Sequence, residues 1–154
     1  MKYACTLRVL GPLSLGLSIG AAAQQLHPLA IPPALENVDT FQLYVDDHLH
    51  QFYPGVNTLT YGVNGDFLGP TLILHKGDTA RINVHNELPE MTNMHWHGML
   101  VPGEMDGGPP REVMPGETWN VHYPVKNPAS TCWYHPHPHM QTTNQVTLGI
   151  AGMI

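Results

Sequence analysis

Apolar and polar residues alternate with a period of two over most of the chain, the signature of strands with one buried face. Phe41-Gln42-Leu43-Tyr44-Val45 puts Phe41, Leu43 and Val45 on one side, and Asp46-Asp47 is expected to end the run as a turn. Thr58 to Val63 is a second strand, closed by Asn64-Gly65, a dipeptide that accepts positive φ and favours a tight hairpin. Gly69-Pro70 restarts the chain, Thr71 to Leu74 is a short apolar run, and Lys76-Gly77-Asp78 turns it. Thr79 to Asn86 sets Ala80, Ile82 and Val84 on one face. Thr118 to Tyr123 and Ser130 to Tyr134 read as further strands, and Val146 to Ile154 begins another; Met140 to Gln145 can form one short helical turn. Between them, Val101 to Pro110, with Gly107-Gly108-Pro109-Pro110, must be loop. Short strands spaced by about 8 to 12 residues with Gly and Pro turns predict an all-β fold, a Greek-key sandwich or barrel.

With 154 residues, 42% hydrophobic and 12% charged, the chain has the size and composition of one globular domain. Its start is different in kind. Lys2 and Arg8 precede an apolar stretch, Val9 to Ile19, and then Ala21-Ala22-Ala23, which predicts a signal peptide over residues 1–23 and an exported protein, periplasmic or extracellular. Gly11, Pro12 and Gly16 break that stretch too early for a membrane span. Residues 24–37, with Pro28, Pro32 and Pro33, are expected to form an extended arm, and residues 38–154 the domain. The domain is expected to be cut short, because Leu148 to Ile154 stops inside an apolar run. The formal charge is −6 and becomes more negative once Lys2 and Arg8 are removed, so nucleic acid and anionic membranes are poor partners. Cys5 falls in the signal segment, which leaves Cys132 without a partner for an internal disulfide.

Two histidine clusters supply the candidate chemistry: His95-Trp96-His97-Gly98 and Trp133-Tyr134-His135-Pro136-His137-Pro138-His139. Residues two apart in a strand share a face, so each His-x-His pair can aim two imidazoles at one point, and two pairs on neighbouring strands give four nitrogen ligands. Neutral imidazole suits copper, zinc, iron and nickel. Trp96 points the other way, into the core, and Gly98 lets the chain leave closely past a ligand. Pro136 and Pro138 fix the backbone around His137 and preorganise it. The same prolines turn His139 away, so it reads as a surface residue. His48-Leu49-His50 lies beside the expected Asp46-Asp47 turn without aromatic or glycine context and reads as solvent-exposed. Cys132, His137 and Met140 imitate the spacing of a blue-copper loop, but position 132 is even while 135 and 137 are odd, which points the thiol away from the imidazoles. Glu104 and Asp106 follow the first cluster; they read equally as turn residues and as carboxylates that orient a ligand or relay protons. The scattered methionines suit either core filling or soft Cu(I) contacts.

Taken in order, His95-Trp96-His97-Gly98, Val101-Pro102-Gly103-Glu104-Met105-Asp106-Gly107-Gly108-Pro109, Pro115-Gly116-Glu117, Cys132-Trp133-Tyr134-His135-Pro136-His137 and Gly149-Ile150-Ala151-Gly152 resemble the first cupredoxin domain of multicopper oxidases. The likeness includes bacterial laccases, cuprous oxidases and the bilirubin oxidase branch, and it extends over roughly residues 38 to 154 through Tyr61-Gly62-Val63-Asn64-Gly65, Gly69-Pro70-Thr71 and Gly77-Asp78. The resemblance implies a cupredoxin-like fold and copper as cofactor. It implies that His95 binds a type 2 copper, that His97, His135 and His137 bind a type 3 pair, and that Asp106 is an acid near this trinuclear cluster. It further implies that O2 and a small reductant, phenolic or Cu(I), are the reactants, and that the type 1 copper belongs to a C-terminal cupredoxin domain absent from this sequence. Two rivals stand beside it: a small electron-transfer cupredoxin using Cys132, and a non-redox scaffold like the cell-division relatives of the family. A cupin is excluded by Val101-Pro102, where that fold requires a glutamate.

Overall fold

The computed structural model describes residues 29–154, so the expected signal segment lies outside the described residues. Within them the elements run β1 (Ala34–Leu35), β2 (Phe41–Tyr53), β3 (Val56–Val63), β4 (Thr71–Leu72), β5 (Thr79–Asn86), β6 (His95–His97), β7 (Thr118–Pro124), β8 (Trp133–His135), α1 (Thr142–Leu148) and β9 (Gly152–Met153). Four strands form one sheet in the order β3-β2-β5-β7, three form a second in the order β6-β8-β9, and β1 pairs in parallel with β4. No helix among the described residues is long and apolar enough to cross a membrane.

Period-two alternation builds the larger sheet as expected. Phe41, Leu43 and Val45 of β2, Ala80, Ile82 and Val84 of β5, and Trp119, Val121 and Tyr123 of β7 are all buried on one face. The smaller sheet meets that face through Trp96, which is fully buried and lies 6.4 Å, ring centre to ring centre, from both Trp119 and Tyr123. Its indole N–H donates to the Met105 carbonyl at 2.9 Å, so the ring is satisfied as well as packed. Burying a side chain of this kind stabilises the fold by about 3 kcal/mol. The residue between the first two histidines therefore clamps their strand to the core.

Three expectations are corrected. Asp46-Asp47 does not end β2, which continues to Tyr53 because its far half pairs with β3, from Val45 opposite Val63 to His50 opposite Thr58. Cross-strand hydrogen bonding outweighs the turn preference of two aspartates. The hairpin turn is consequently Pro54-Gly55, with Gly55 at φ 78°, rather than Asn64-Gly65. Asn64 still takes positive φ, and its side chain bonds both the Tyr44 N–H at 2.7 Å and the Gln42 carbonyl at 2.8 Å. Finally, the strand expected from Val146 is the helix α1, ended by Gly149 at φ 124°, and strand pairing resumes at β9.

Candidate metal centre

Strand register brings the histidine clusters together. β6 and β8 pair antiparallel with His95 opposite His135, Trp96 opposite Tyr134 and His97 opposite Trp133. One face of this small sheet therefore carries His95, His97, Trp133 and His135, and the other drives Trp96 and Tyr134 into the core. The donor atoms of His95, His97 and His135 all lie within 4.8 Å of one another, the group of this kind found among the described residues. His137 lies two residues past the end of β8; its ring centre is 5.7 Å from that of His95 and 6.0 Å from that of His135, but it does not belong to the three-residue donor group.

Hydrogen bonding sets the tautomers. His135 Nδ1 donates to the Pro136 carbonyl at 2.9 Å, which leaves the lone pair on Nε2. His95 Nδ1 donates to the Asp106 carbonyl at 3.0 Å, which does the same for its Nε2, and one Asp106 carboxylate oxygen lies 3.3 Å from that Nδ1. His97 Nδ1 and His135 Nε2 are 3.2 Å apart. Two ligand nitrogens about 2.0 to 2.1 Å from one ion at a tetrahedral angle are about 3.3 Å apart, so this pair fits a single transition-metal ion. His137 Nδ1 is buried without a protein partner. An all-imidazole set, with the tautomers of His95 and His135 fixed, fits copper.

Burial completes the electrostatics. His135 is 6% exposed, and desolvation, reinforced by the neighbouring imidazoles, holds its pKa below the ordinary histidine value. The ring stays neutral, as a ligand must. Trp133 stacks on it at 4.1 Å between ring centres and also covers His97 at 5.2 Å. Trp133 shares odd parity with His135, so its place on the metal face was legible in the sequence.

The remaining candidates are elsewhere. Cys132 is buried and lies outside the donor group; a Cβ on Gly98 would come within 3.1 Å of its sulfur. Gly98, at φ 87°, is favoured by its backbone conformation and by its closeness to Cys132. His139 is exposed, and His50 bonds Asp66 at 3.0 Å beside Phe52 and Phe67, on the extended hairpin. Glu104 is exposed in the single 3-10 turn Gly103–Met105. Sequence reading passed over Asn93, which is fully buried and whose side-chain oxygen accepts the His137 backbone N–H. The signal that could have found it is the Pro136-His137-Pro138 pattern, in which His137 holds the single N–H and needs an acceptor.

Residues 45–154 match the family model described as multicopper oxidase. The chain is 40% identical over 129 residues to the multicopper oxidase mco of Staphylococcus aureus, covering 82% of this chain and 29% of that protein. It is 38% identical over 135 residues to the cell division protein FtsP of Escherichia coli, covering 86% and 29%. Among solved structures, the laccase-like multi-copper oxidase CueO of Ochrobactrum sp. superposes with a TM-score of 0.79 at 40% identity, over 82% of this chain and 29% of that one. The Campylobacter jejuni metallo-oxidase gives a TM-score of 0.76 at 34% identity, over 81% and 28%. The chain thus spans less than a third of the length of these relatives. Its all-β fold is cupredoxin-like, and the chain belongs to the multicopper oxidase family.

Proposed function

We propose that the four imidazoles hold copper and that this domain supplies half of the ligands of a trinuclear cluster, His95 to the type 2 ion and His97, His135 and His137 to the type 3 pair. The reading is carried by the convergence of His95, His97 and His135 nitrogens within 4.8 Å. In the whole protein, a phenolic reductant or Cu(I) gives up one electron at a time, and four electrons with four protons convert O2 to two waters. Copper supplies the one-electron steps when bound. The residues of this chain do the rest: the Asp106 and Pro136 carbonyls keep the His95 and His135 Nε2 atoms free, and Trp133 covers one face of the buried His135 ring. Asp106, in contact with His95 on one side and partly exposed on the other, is positioned to pass protons inward. Residues 1–23 direct export to the periplasm or beyond, the domain occupies residues 38–154, and further cupredoxin domains carry the type 1 copper.

The test is made on the full-length polypeptide, by copper content after loading and dialysis together with O2 uptake on a phenol and on Cu(I). His135→Ala is expected to lose bound copper and O2 uptake, whereas Asp106→Asn keeps its copper and loses about 100-fold or more in rate. A wild-type protein that retains no copper sinks the reading. That result would favour the second one, a non-redox scaffold, which the 38% identity to a cell division protein supports. Three converging imidazoles count against it, since a scaffold has no use for them.

A further inference from the structure

His137 sits on a backbone that no strand holds. β8 ends at His135, and Pro136 and Pro138 offer no N–H, so the His137 amide is the one donor the tripeptide has. That amide donates to Asn93 Oδ1. Asn93 is 0% exposed, and its Nδ2 donates in turn to the Arg111 carbonyl at 2.9 Å and, more weakly, to the Gly108 carbonyl at 3.4 Å. One buried amide therefore spends its oxygen and both of its hydrogens on two separate segments: the proline-flanked stretch bearing His137 and the loop bearing Asp106. It lies two residues before His95, on the segment that leads into β6.

We infer that Asn93 is a positioning residue for the metal centre, fixing the His137 imidazole through its backbone and tying it to the Asp106 loop. A ligand ring held by a free-swinging backbone would pay rotational entropy on binding; an anchored one has little left to lose. The inference rests on the proposed copper reading, and its consequences for affinity are those of an outer partner of a ligand, about 10- to 100-fold.

Gln145 provides the control. It is also a fully buried amide, on α1, and it bonds the segment that carries Asn93, accepting from Thr92 Oγ1 at 2.8 Å and donating to the Met91 carbonyl at 2.9 Å, but it touches no histidine of the centre. Copper affinity of the full-length protein is measured by equilibrium competition for Asn93→Leu, which keeps the branched shape and loses every hydrogen bond, for Asn93→Asp, which keeps the acceptor, and for Gln145→Leu. Asn93→Leu is expected to bind 10- to 100-fold more weakly, Asn93→Asp to recover most of that loss, and Gln145→Leu to lower the thermal midpoint with affinity within about threefold of wild type. Equal losses in Asn93→Leu and Gln145→Leu, or no loss in Asn93→Leu, overturn the inference. Failure of the wild type to bind copper overturns the functional reading instead. If Asn93→Leu does not fold, amide exchange in the wild type decides: slow exchange at His137 supports the anchor, and exchange at the rate of an exposed amide overturns it.

Discussion

Tyr123 and Tyr134 share the core around Trp96, but their hydroxyls meet different fates. Tyr134 donates to the Pro70 carbonyl at 2.8 Å, 64 residues away in sequence, whereas the Tyr123 hydroxyl is buried without a protein partner. Removing a bonded hydroxyl orphans its acceptor, and removing an unbonded one relieves a desolvation cost. Tyr134→Phe is accordingly expected to lower unfolding free energy by about 1 to 2 kcal/mol in urea titrations, while Tyr123→Phe leaves it unchanged or raises it by up to about 1 kcal/mol. At alkaline pH the two behave alike, since burial raises the pKa of Tyr134 as well. Burial first, then the charges of Cys132 and Asp106, push the Tyr123 pKa above the ordinary tyrosine value. A raised pKa in the folded state means that the folded protein holds the proton more tightly than the unfolded chain. The associated stability is complete below about pH 10 and declines as pH rises past that value. Tyr123→Phe removes this contribution, so its stability should fall less steeply than that of the wild type above about pH 10; parallel curves would contradict the assignment.

The loop between β6 and β7 reaches the centre through one glycine. Gly107 has φ 72°, and a Cβ there would lie 1.8 Å from the Met94 carbonyl oxygen, just before His95. Gly107→Ala must push the loop off that backbone and carry Asp106 from His95. A loss of about 2 kcal/mol or more in stability is expected, together with slower O2 reduction; a variant as stable as wild type would show that the approach is not tight. The limits of the sequence appear in elements like this one. Parity correctly put Trp96 in the core and Cys132 away from the imidazoles, because a two-residue period survives in strands of only three residues. It could not place Asp106, whose carbonyl and not merely its carboxylate holds His95, since a loop has no period. α1 was half legible: the turn expected at Met140 to Gln145 overlaps its start, but Gln141 gives no side-chain cap, and what holds the longer helix is the Gln145 amide, bonded to Thr92 and Met91 across more than 50 residues. β2 ran past Asp46-Asp47 for the same reason, its fate being decided by a partner strand.

In the proposed cluster, four imidazoles shared among three ions would leave every ion short of ligands, so the domain should bind copper as half of a site. Linkage makes this measurable. A metal that binds the folded state alone stabilises it by RT ln(1 + [L]/Kd), about 2.7 kcal/mol at a hundredfold excess over Kd, so copper should raise the thermal midpoint of the full-length protein and fail to raise that of His135→Ala. On that proposal, the 154 residues tested alone would be without the donors that further domains of the whole protein hold at high effective concentration. Its copper Kd should be at least about 100-fold weaker than that of the full-length protein, and its shift in midpoint at equal copper correspondingly small. Adding the proposed further domains as a separate chain should recover part of the difference, in proportion to their concentration. Equal affinity in the short and full-length chains would instead mean that His95, His97, His135 and His137 complete a site by themselves, and the proposal of a shared cluster would have to be given up.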